Sequence, residues 1–307
     1  GFKRKIFDWS MRIGEGYELH GKSPWYHLQR KIADMLVYKK WRQAIGGEIV
    51  IIVSGGAALN PRLERIFYCA GIDLLQGYGL TETCVVVAVN RIEKSRRMFG
   101  TVGPVVENSE VKIAAEDGEI LMKGPSLMMG YYKNPEATAE AIDKDGWFHT
   151  GDVGQIVDGK FLKITDRKKE IFKTSSGKYI SPVAIENKLK ECKFIEQCIV
   201  VGEFEKFVSA LIIPSMSRFK EYCAANSIEW KGHEEMFHHE ALKKIITDHV
   251  KKVNASLAPF EQLKRQQLIN DSWTVEGGEI TPKLSLKRKI ILQKNKEAIK
   301  TIFGAEG

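Results

Sequence analysis

Apolar side chains recur at helical spacing in two runs near the start of the chain, from Ile6 to about Leu19 and from Trp25 to Ile45, the second through Leu28, Ile32, Met35 and Leu36. Gly46 and Gly47 close the second run where helices stop, so two helices are predicted to open the chain. The period then changes. "EIVIIVSGG" reads as a buried strand running into a glycine turn, and "NPRLERIFYCAG" reads as a helix capped by Asn60 with Pro61 at its first position. A second strand, "IDLLQ", leads into "GYGLTETC" and the apolar run Val85 to Val89. In open α/β sheets ligands gather beyond the carboxyl ends of strands, and both "SGGA" and "GYGLTET" fall at such ends and can face one cleft.

From about Arg97 to Ile164 the texture becomes short β-rich segments ("SEVKIAA", "GEILMKG", "WFHTGD", "GQIVD", "KFLKIT") separated by glycine, proline and Asp-Gly turns, which predicts a small sheet or barrel. The charged string "DRKKE" ends this region. Beyond it, "SPVAIENKLKE" reads as a helix, "FIEQCIVVGE" and "FVSALIIPS" as strands, and the rest as polar helices, a second and smaller α/β module. No internal repeat or low-complexity tract interrupts the pattern.

Composition narrows the class. A chain of 307 residues with 43% apolar and 28% charged positions has the make-up of a soluble globular protein of about two domains. Lys and Arg outnumber Asp and Glu by 47 to 39, and the surplus points to anionic ligands, nucleic acid or an acidic membrane face. Five cysteines, none in C-x-x-C spacing, read as reduced thiols of a cytosolic protein. No apolar run reaches the roughly 18 residues of a membrane-spanning helix. The Gly1 start has no signal-peptide pattern, and because it also lacks an initiator methionine the chain is expected to be a piece of something longer.

Candidate chemistry sits at the strand ends. Ser54-Gly55-Gly56-Ala57 reads as a tight turn, and its glycines would also let a flat ring approach backbone amides. Tyr78 reads as a core aromatic or a platform for a base, and Thr81 as a cap or a phosphate contact. Glu82, read as standing just before a buried strand, would be costly there unless it meets a cation, and Mg²⁺ prefers hard oxygen ligands beside phosphates. Thr150-Gly151-Asp152 follows "GWFH"; as a lone motif it is a turn, yet its carboxylate can accept two hydrogen bonds from vicinal ribose hydroxyls. Asp166 to Glu170 reads as a solvated charge run. "TSSGKYIS" fails as a P-loop, because Phe172 stands where the first glycine belongs and Tyr179 where Ser or Thr belongs. The cluster His233, Glu234, Glu235, His238, His239 reads as a solvated face rather than a metal site. Lys283, Lys287, Arg288 and Lys289 read as a helix surface or a nucleic-acid patch, and the absence of interleaved aromatics argues against nucleic acid.

Taken in order, "SGGAAL", "GYGLTET", "HTGD", "ITDRKKEIFKTSSGKYISP" and "ITPKLSLKRK" resemble successive core motifs of the adenylate-forming enzymes, the superfamily of acyl-CoA synthetases, luciferases and peptide-synthetase adenylation domains. "ADMLVYKKWRQAIGGEIVIIVSGGAAL", "GTVGPVV" and "MMGYYKNPEATAEAI" are similar to the long-chain fatty-acyl-CoA synthetase branch. The resemblance implies an α/β fold: a partial large domain with an α/β sheet (residues 1–96) and a small β-barrel-like subdomain (residues 97–165), a hinge at residues 166–169, and a smaller mobile α+β domain (residues 170–307). It also implies a two-step reaction, in which a fatty carboxylate attacks the α-phosphorus of ATP and the thiol of coenzyme A then displaces AMP.

Residue by residue, the resemblance implies that Gly55, Gly56 and Ala57 line the adenine with Tyr78 stacking on it. It assigns Thr81 to phosphate, Glu82 to Mg²⁺, Asp152 with help from Arg167 to the ribose, and Lys169 to the hinge. The tail lysine of the first step falls on Lys283 by the form T-G-K-L-x-x-R-K, with Lys287 as the alternative because many long-chain synthetases carry the lysine where this chain has Ser285. Fatty acid, ATP and coenzyme A are the implied partners, with no nucleic acid expected and with peripheral contact at an inner membrane face favoured by a bilayer-partitioning substrate and a positive surface. Two other readings stand beside this one: a superfamily member that activates an aryl or amino acid, and a non-enzymatic basic module with salt-dependent nucleic-acid binding.

The family's Ser/Thr/Gly-rich phosphate loop, which precedes the "SGGA" turn, is not among these residues, and neither is most of the part that forms the acyl tunnel. Uncovered apolar surface is then expected to drive self-association unrelated to a native interface. Without a backbone cradle for the β- and γ-phosphates, the 307 residues alone are expected to be weakly active or inactive. An acyl-CoA production assay on this chain checks that, and ready turnover would contradict it.

Overall fold

A computed structural model describes residues 2–57, 59–282 and 285–304. The chain divides into two compact units, Gly1–Ile164 and Thr165–Gly307. The predicted opening helices are present as α1 (Phe2–Glu15), α2 (Pro24–Ala33) and α3 (Lys39–Ala44), the last two joined by a single π-helical turn over Asp34–Tyr38. Ser23 caps α2 by accepting the Tyr26 amide at 3.3 Å, with Pro24 in the first position, where its missing N–H costs nothing. Gly46 and Gly47 take φ of +99° and +81°, the left-handed stop predicted for this run. The helices pack through Ile13, Tyr17, Ala33, Val37 and Tyr38 onto Cys69 and Ala70.

Strand β1 (Ile51–Ser54), helix α4 (Pro61–Cys69) and strand β2 (Asp73–Tyr78) form the predicted strand–helix–strand unit, and Asn60 caps α4 through the Arg62 amide at 2.8 Å. The strands pair parallel, Ile51 to Asp73 and Ser54 to Gln76. One expectation fails here. β1 is not buried: it lies at the edge of a three-stranded sheet of order β1-β2-β3, with β3 spanning Ala88–Val89, and Val50 and Val53 are 75% and 62% exposed. Burial of an apolar strand requires cover on its faces, and its composition alone does not supply that.

The β-rich region is an open five-stranded sheet rather than a barrel, in the order β4 (Gly103–Pro104), β8 (Phe161–Arg167), β7 (Phe148–Val157), β6 (Glu119–Lys123), β5 (Glu110–Ile113). "WFHTGD" and "GQIVD" belong to one strand, β7. A short helix, α5 (Pro135–Ala141), capped by Asn134, precedes it.

In the second unit, β9 (Phe172–Lys173) and β10 (Tyr179–Ile180) form an antiparallel hairpin around "TSSGK", a geometry with no resemblance to a P-loop. Helix α6 (Pro182–Leu189) follows, then β11 (Ile195–Val201), β12 (Val208–Pro214), helices α7 (Met216–Ala225), α8 (His233–Phe237) and α9 (Glu240–Asn254), strand β13 (Leu263–Leu268), and helices α10 (Arg288–Lys294) and α11 (Lys296–Gly304). β12 is the central strand, antiparallel to β11 and parallel to β13. Alternate residues serve opposite faces. Cys198, Val200, Ala210 and Ile212 pack under α6, α7 and α9, whereas Ile199, Val201, Leu211 and Ile213 pack against Trp273, Ile280, Ile291 and Ile302. The sheet is therefore covered on both sides. Among the described residues, no helix is long and apolar enough to cross a membrane.

In the first unit, Glu64 on α4 is fully buried and accepts the Gly100 amide at 2.9 Å. Burial raises its carboxyl to about 7, against the opposing pull of that amide and of Arg97 and Arg65. Because the folded value lies above the unfolded one, the protonated form favours folding, and this contribution is present at acid pH and lost as pH rises through about 7. Glu64→Gln should therefore flatten the decline in stability between about pH 5 and 8, checked by urea unfolding of both proteins across that range.

Candidate active site

The parallel register of β1 and β2 sends both strands out of the sheet on the same edge. Beyond Ser54 the chain turns through Gly55, Gly56 at φ +80° and Ala57, all exposed, and a side chain at Gly55 would sit 3.8 Å from the Gly77 carbonyl. The two glycine turns predicted to share a site thus lie side by side. Space beside Gly56 is open.

The second turn is tightly built. A Cβ at Gly79 would lie 1.4 Å from the Val85 carbonyl oxygen, so only glycine fits. The Leu80 amide donates to Thr83 Oγ1 at 3.0 Å, and the same hydroxyl donates back to the Leu80 carbonyl at 3.0 Å. Thr81–Thr83 form one 3₁₀ turn, Cys84 and Val85 take positive φ, and the Val87 amide returns to the Tyr78 carbonyl at 2.8 Å. This corrects the expectation that Glu82 stands before a buried strand: Val85 and Val86 are exposed loop residues, and Glu82 is half-buried on the 3₁₀ turn. Its carbonyl accepts the Met128 amide at 2.8 Å, and its Oε1 accepts the Tyr131 hydroxyl at 3.0 Å.

Tyr78 is a core aromatic, the first of the two readings made for it. Its ring packs with Val87, Ala88, Val102, Ile120 and Leu162, and its hydroxyl donates to Asp152 Oδ2 at 2.7 Å. Two residues placed on nucleotide contacts by the motif order are thereby in direct contact. Asp152 is positioned by a break in the β6–β7 ladder, where Glu119 faces Val153 but Leu121 faces His149. Thr150 donates to the Ile120 carbonyl at 2.7 Å and accepts the Asp152 amide at 3.1 Å. The buried Glu119 carboxylate accepts the Gly151 amide at 2.9 Å through one oxygen and meets His149 Nδ1 at 3.0 Å through the other.

Glu119 and Tyr131 are the organising residues that motif reading missed. An acidic residue opening the apolar strand "EILMK" was a usable signal for Glu119; Tyr131 carried none, since its partner lies 49 positions away.

A Mg²⁺ ion would find one carboxylate here. Glu82 offers hard oxygens with only one of them engaged by Tyr131, and among the described residues no group of three or more His, Cys, Asp or Glu could enclose an ion. That donor set fits Mg²⁺, which is held by one or two carboxylates together with substrate phosphates and water, and does not fit an all-protein cage.

The remaining predicted residues lie in the second unit. Arg167 ends β8, its carbonyl accepting the Glu170 and Ile171 amides at 2.9 and 3.2 Å, and Lys169 is exposed on that turn. The string is not uniformly solvated: Asp166 is buried, accepts the Ser181 hydroxyl at 2.5 Å, and has its carboxyl pushed up by burial. Lys283 lies outside the described residues. Lys287 is exposed at the start of α10, with its amide donating to the Glu279 carbonyl at 2.7 Å.

With this geometry in hand, two family models match: AMP-binding enzyme over residues 25–132 and AMP-binding enzyme C-terminal domain over residues 169–307. The chain belongs to the AMP-binding enzyme family. Over 300 residues it is 35% identical to the long-chain-fatty-acid–CoA ligase FadD15 of Mycobacterium bovis, covering 97% of this chain and 49% of that protein. It is 32% identical to the peroxisomal long chain acyl-CoA synthetase 6 of Arabidopsis thaliana, covering 99% of this chain and 45% of that one. The chain thus spans about half the length of the curated relatives it matches. Among solved structures, the adenylation domain of a carboxylate reductase from Mycobacterium chelonae aligns with a TM-score of 0.67 at 22% identity, over 97% of this chain and 44% of that one. The A domain of the carboxylic acid reductase of Segniliparus rugosus, in complex with AMP, aligns at 0.65 and 22%, over 97% and 45%. At that identity the likeness is one of fold.

Gly79→Ala should be the most damaging single-methyl change in this region, costing several kcal/mol or displacing the 3₁₀ turn, because rigid backbone blocks the added atom. Thermal unfolding of the variant beside Gly56→Ala measures this; equal, small losses would contradict it.

Proposed function

We propose that this chain carries the nucleotide site and the tail-lysine turn of a long-chain-fatty-acid–CoA ligase, which activates a fatty acid as acyl-AMP and then transfers the acyl group to coenzyme A. What carries the reading is the 35% identity to a long-chain ligase along 97% of this chain, together with the contact between Tyr78 and Asp152 beside two adjacent glycine turns.

Gly55, Gly56 and Ala57 line the adenine and Tyr78 presents the accessible part of its ring to it. Asp152 accepts both ribose hydroxyls, helped by Arg167. The Tyr78 hydroxyl fixes the Asp152 carboxylate from behind, so little reorganisation is needed when a nucleotide arrives. Thr81 donates to phosphate, and Glu82, oriented by Tyr131, is the residue that would hold Mg²⁺; the ion supplies charge neutralisation among the phosphates. The first step sets a carboxylate against an anionic phosphate. It therefore depends on positioning and on cations placed where charge accumulates.

Lys283 supplies one such cation in the first step, with Lys287 as the second choice. Lys169 serves as the hinge about which the domain from residue 170 onward exchanges the tail turn for the "KTSSGKY" hairpin, so that one site serves two chemistries. The surplus of eight positive charges favours contact with an anionic membrane face on the cytoplasmic side, where fatty acids partition.

ATP–pyrophosphate exchange in the protein expressed from its natural reading frame tests the reading. Exchange should depend on long-chain fatty acids; exchange driven by aryl or amino acids instead would move the protein to another branch of the family. Lys283→Ala should slow that exchange by about 10²-fold, as when one transition-state donor is lost. Full activity in this variant would transfer the role to Lys287.

A further inference from the structure

Arg288 belongs to a run of basic residues, yet its side chain is only 14% exposed. As the first residue of α10 it points into the body of the second unit, where Nη2 donates to Glu186 Oε1 at 2.6 Å, Nε to Glu170 Oε2 at 3.2 Å and Nη1 to the Val200 carbonyl at 3.3 Å. The Glu186 side chain is 3% exposed, and its Oε1 also accepts the Val200 amide at 2.7 Å. Burial pushes the Glu186 carboxyl up, and Arg288 is foremost among the groups that oppose this. One guanidinium thus joins α6, β11 and the residue directly after Lys169.

Arg288 also stands at the exit of the tail turn. The base of that turn is closed by the Ile280–Leu286 bridge, by the Thr281 amide on the Ser285 carbonyl at 2.9 Å and by the Lys287 amide on the Glu279 carbonyl at 2.7 Å. Its opening end is pinned as well: the buried Glu279 carboxylate pairs with Lys294 and accepts the Thr274 amide at 3.2 Å. The described residues of the turn are anchored at both ends, and the Arg288 anchor connects them to the hinge side of the unit.

A buried ion pair of this kind adds little net stability over an apolar replacement, and its best-attested use is to fix geometry. The planar fork of arginine suits a three-way junction in a way a lysine cannot match. We propose that Arg288 is a positioning residue for the acid-activating step, holding Lys287 and the described residues on either side of the tail motif, Glu279 to Pro282 and Ser285 to Leu286, in a fixed orientation to Glu170 and hence to the hinge. The proposal rests on the adenylate-forming reading above.

Two variants test it, in the protein expressed from its natural reading frame. Glu170→Gln breaks the hinge-side pair and leaves the Arg288–Glu186 pair intact; Arg288→Lys removes the fork. Hydrogen exchange should show lost protection at the described residues of the 280–287 turn with β11 and β12 as protected as before. Unchanged exchange in the turn overturns the positioning role, whatever the activity. Fatty-acid-dependent ATP–pyrophosphate exchange should fall about 10- to 100-fold in kcat with KM for ATP unchanged. Thioester formation from supplied acyl-adenylate and coenzyme A should keep its full rate. Equal loss in both half-reactions would reduce Arg288 to a structural staple and overturn the proposal. Should Arg288→Lys fail to fold, Glu170→Gln decides the matter alone. If the unchanged protein shows no fatty-acid-dependent exchange, the ligase reading itself fails and takes the assignment to acid activation with it, while hydrogen exchange still reports whether the anchor holds the turn.

Discussion

The in-register parallel pairing of β1 with β2 is the constraint from which the candidate site follows. It brings the carboxyl ends of two strands to one edge, so that the turn after Ser54 and the turn after Tyr78 become neighbours though more than twenty residues separate them in sequence. Everything at that edge is then determined by close approach. Gly55 lies against Gly77, and Gly79 yields its side-chain space to the Val85 carbonyl. The loop that follows must double back, and the Thr83 hydroxyl holds it there by serving the Leu80 amide and carbonyl together.

A second layer of order comes from the five-stranded sheet. Tyr78 extends from β2 to Asp152 on β7, so the strand that ends at the glycine turn is tied to the strand that offers the carboxylate. Glu119, Thr150 and Gly151 then fix where that carboxylate stands. These are short hydrogen bonds in a largely buried setting, where polar groups left unpaired would be costly and paired ones rigidify what they join. In the second unit the same logic is carried by ion pairs, in which Arg288 meets Glu186 and Glu170 and Glu279 meets Lys294.

Much of this was legible in the chain. Asn60 and Pro61 announced α4, Gly46 and Gly47 the end of α3, and alternation between turns announced β5, β6 and β8, because caps, stops and period-two patterns act locally. Where the reading erred, the cause was not local. β1 looked buried because Val50 to Val53 are apolar, but burial depends on what covers a strand. The run from Val85 to Val89 looked like a strand, yet Gly79 and Thr83 turn most of it into a loop. Arg288 looked like one more surface charge, since its partners Glu186 and Glu170 lie 102 and 118 positions away. Gly55, Tyr78, Glu82 and Asp152 were singled out by motif order; that Tyr78 touches Asp152, and Tyr131 touches Glu82, only the fold reveals.

The central claim is that these strand ends hold the adenosine of an activated fatty acid. The most direct measurement is a crystal structure of the protein, expressed from its natural reading frame, with a non-hydrolysable fatty-acyl adenylate analogue. The account predicts the adenine against the Gly55–Ala57 turn and Tyr78, with both ribose hydroxyls on Asp152. Adenosine bound elsewhere, with Asp152 engaged only by Tyr78 and its other protein neighbours, would contradict it.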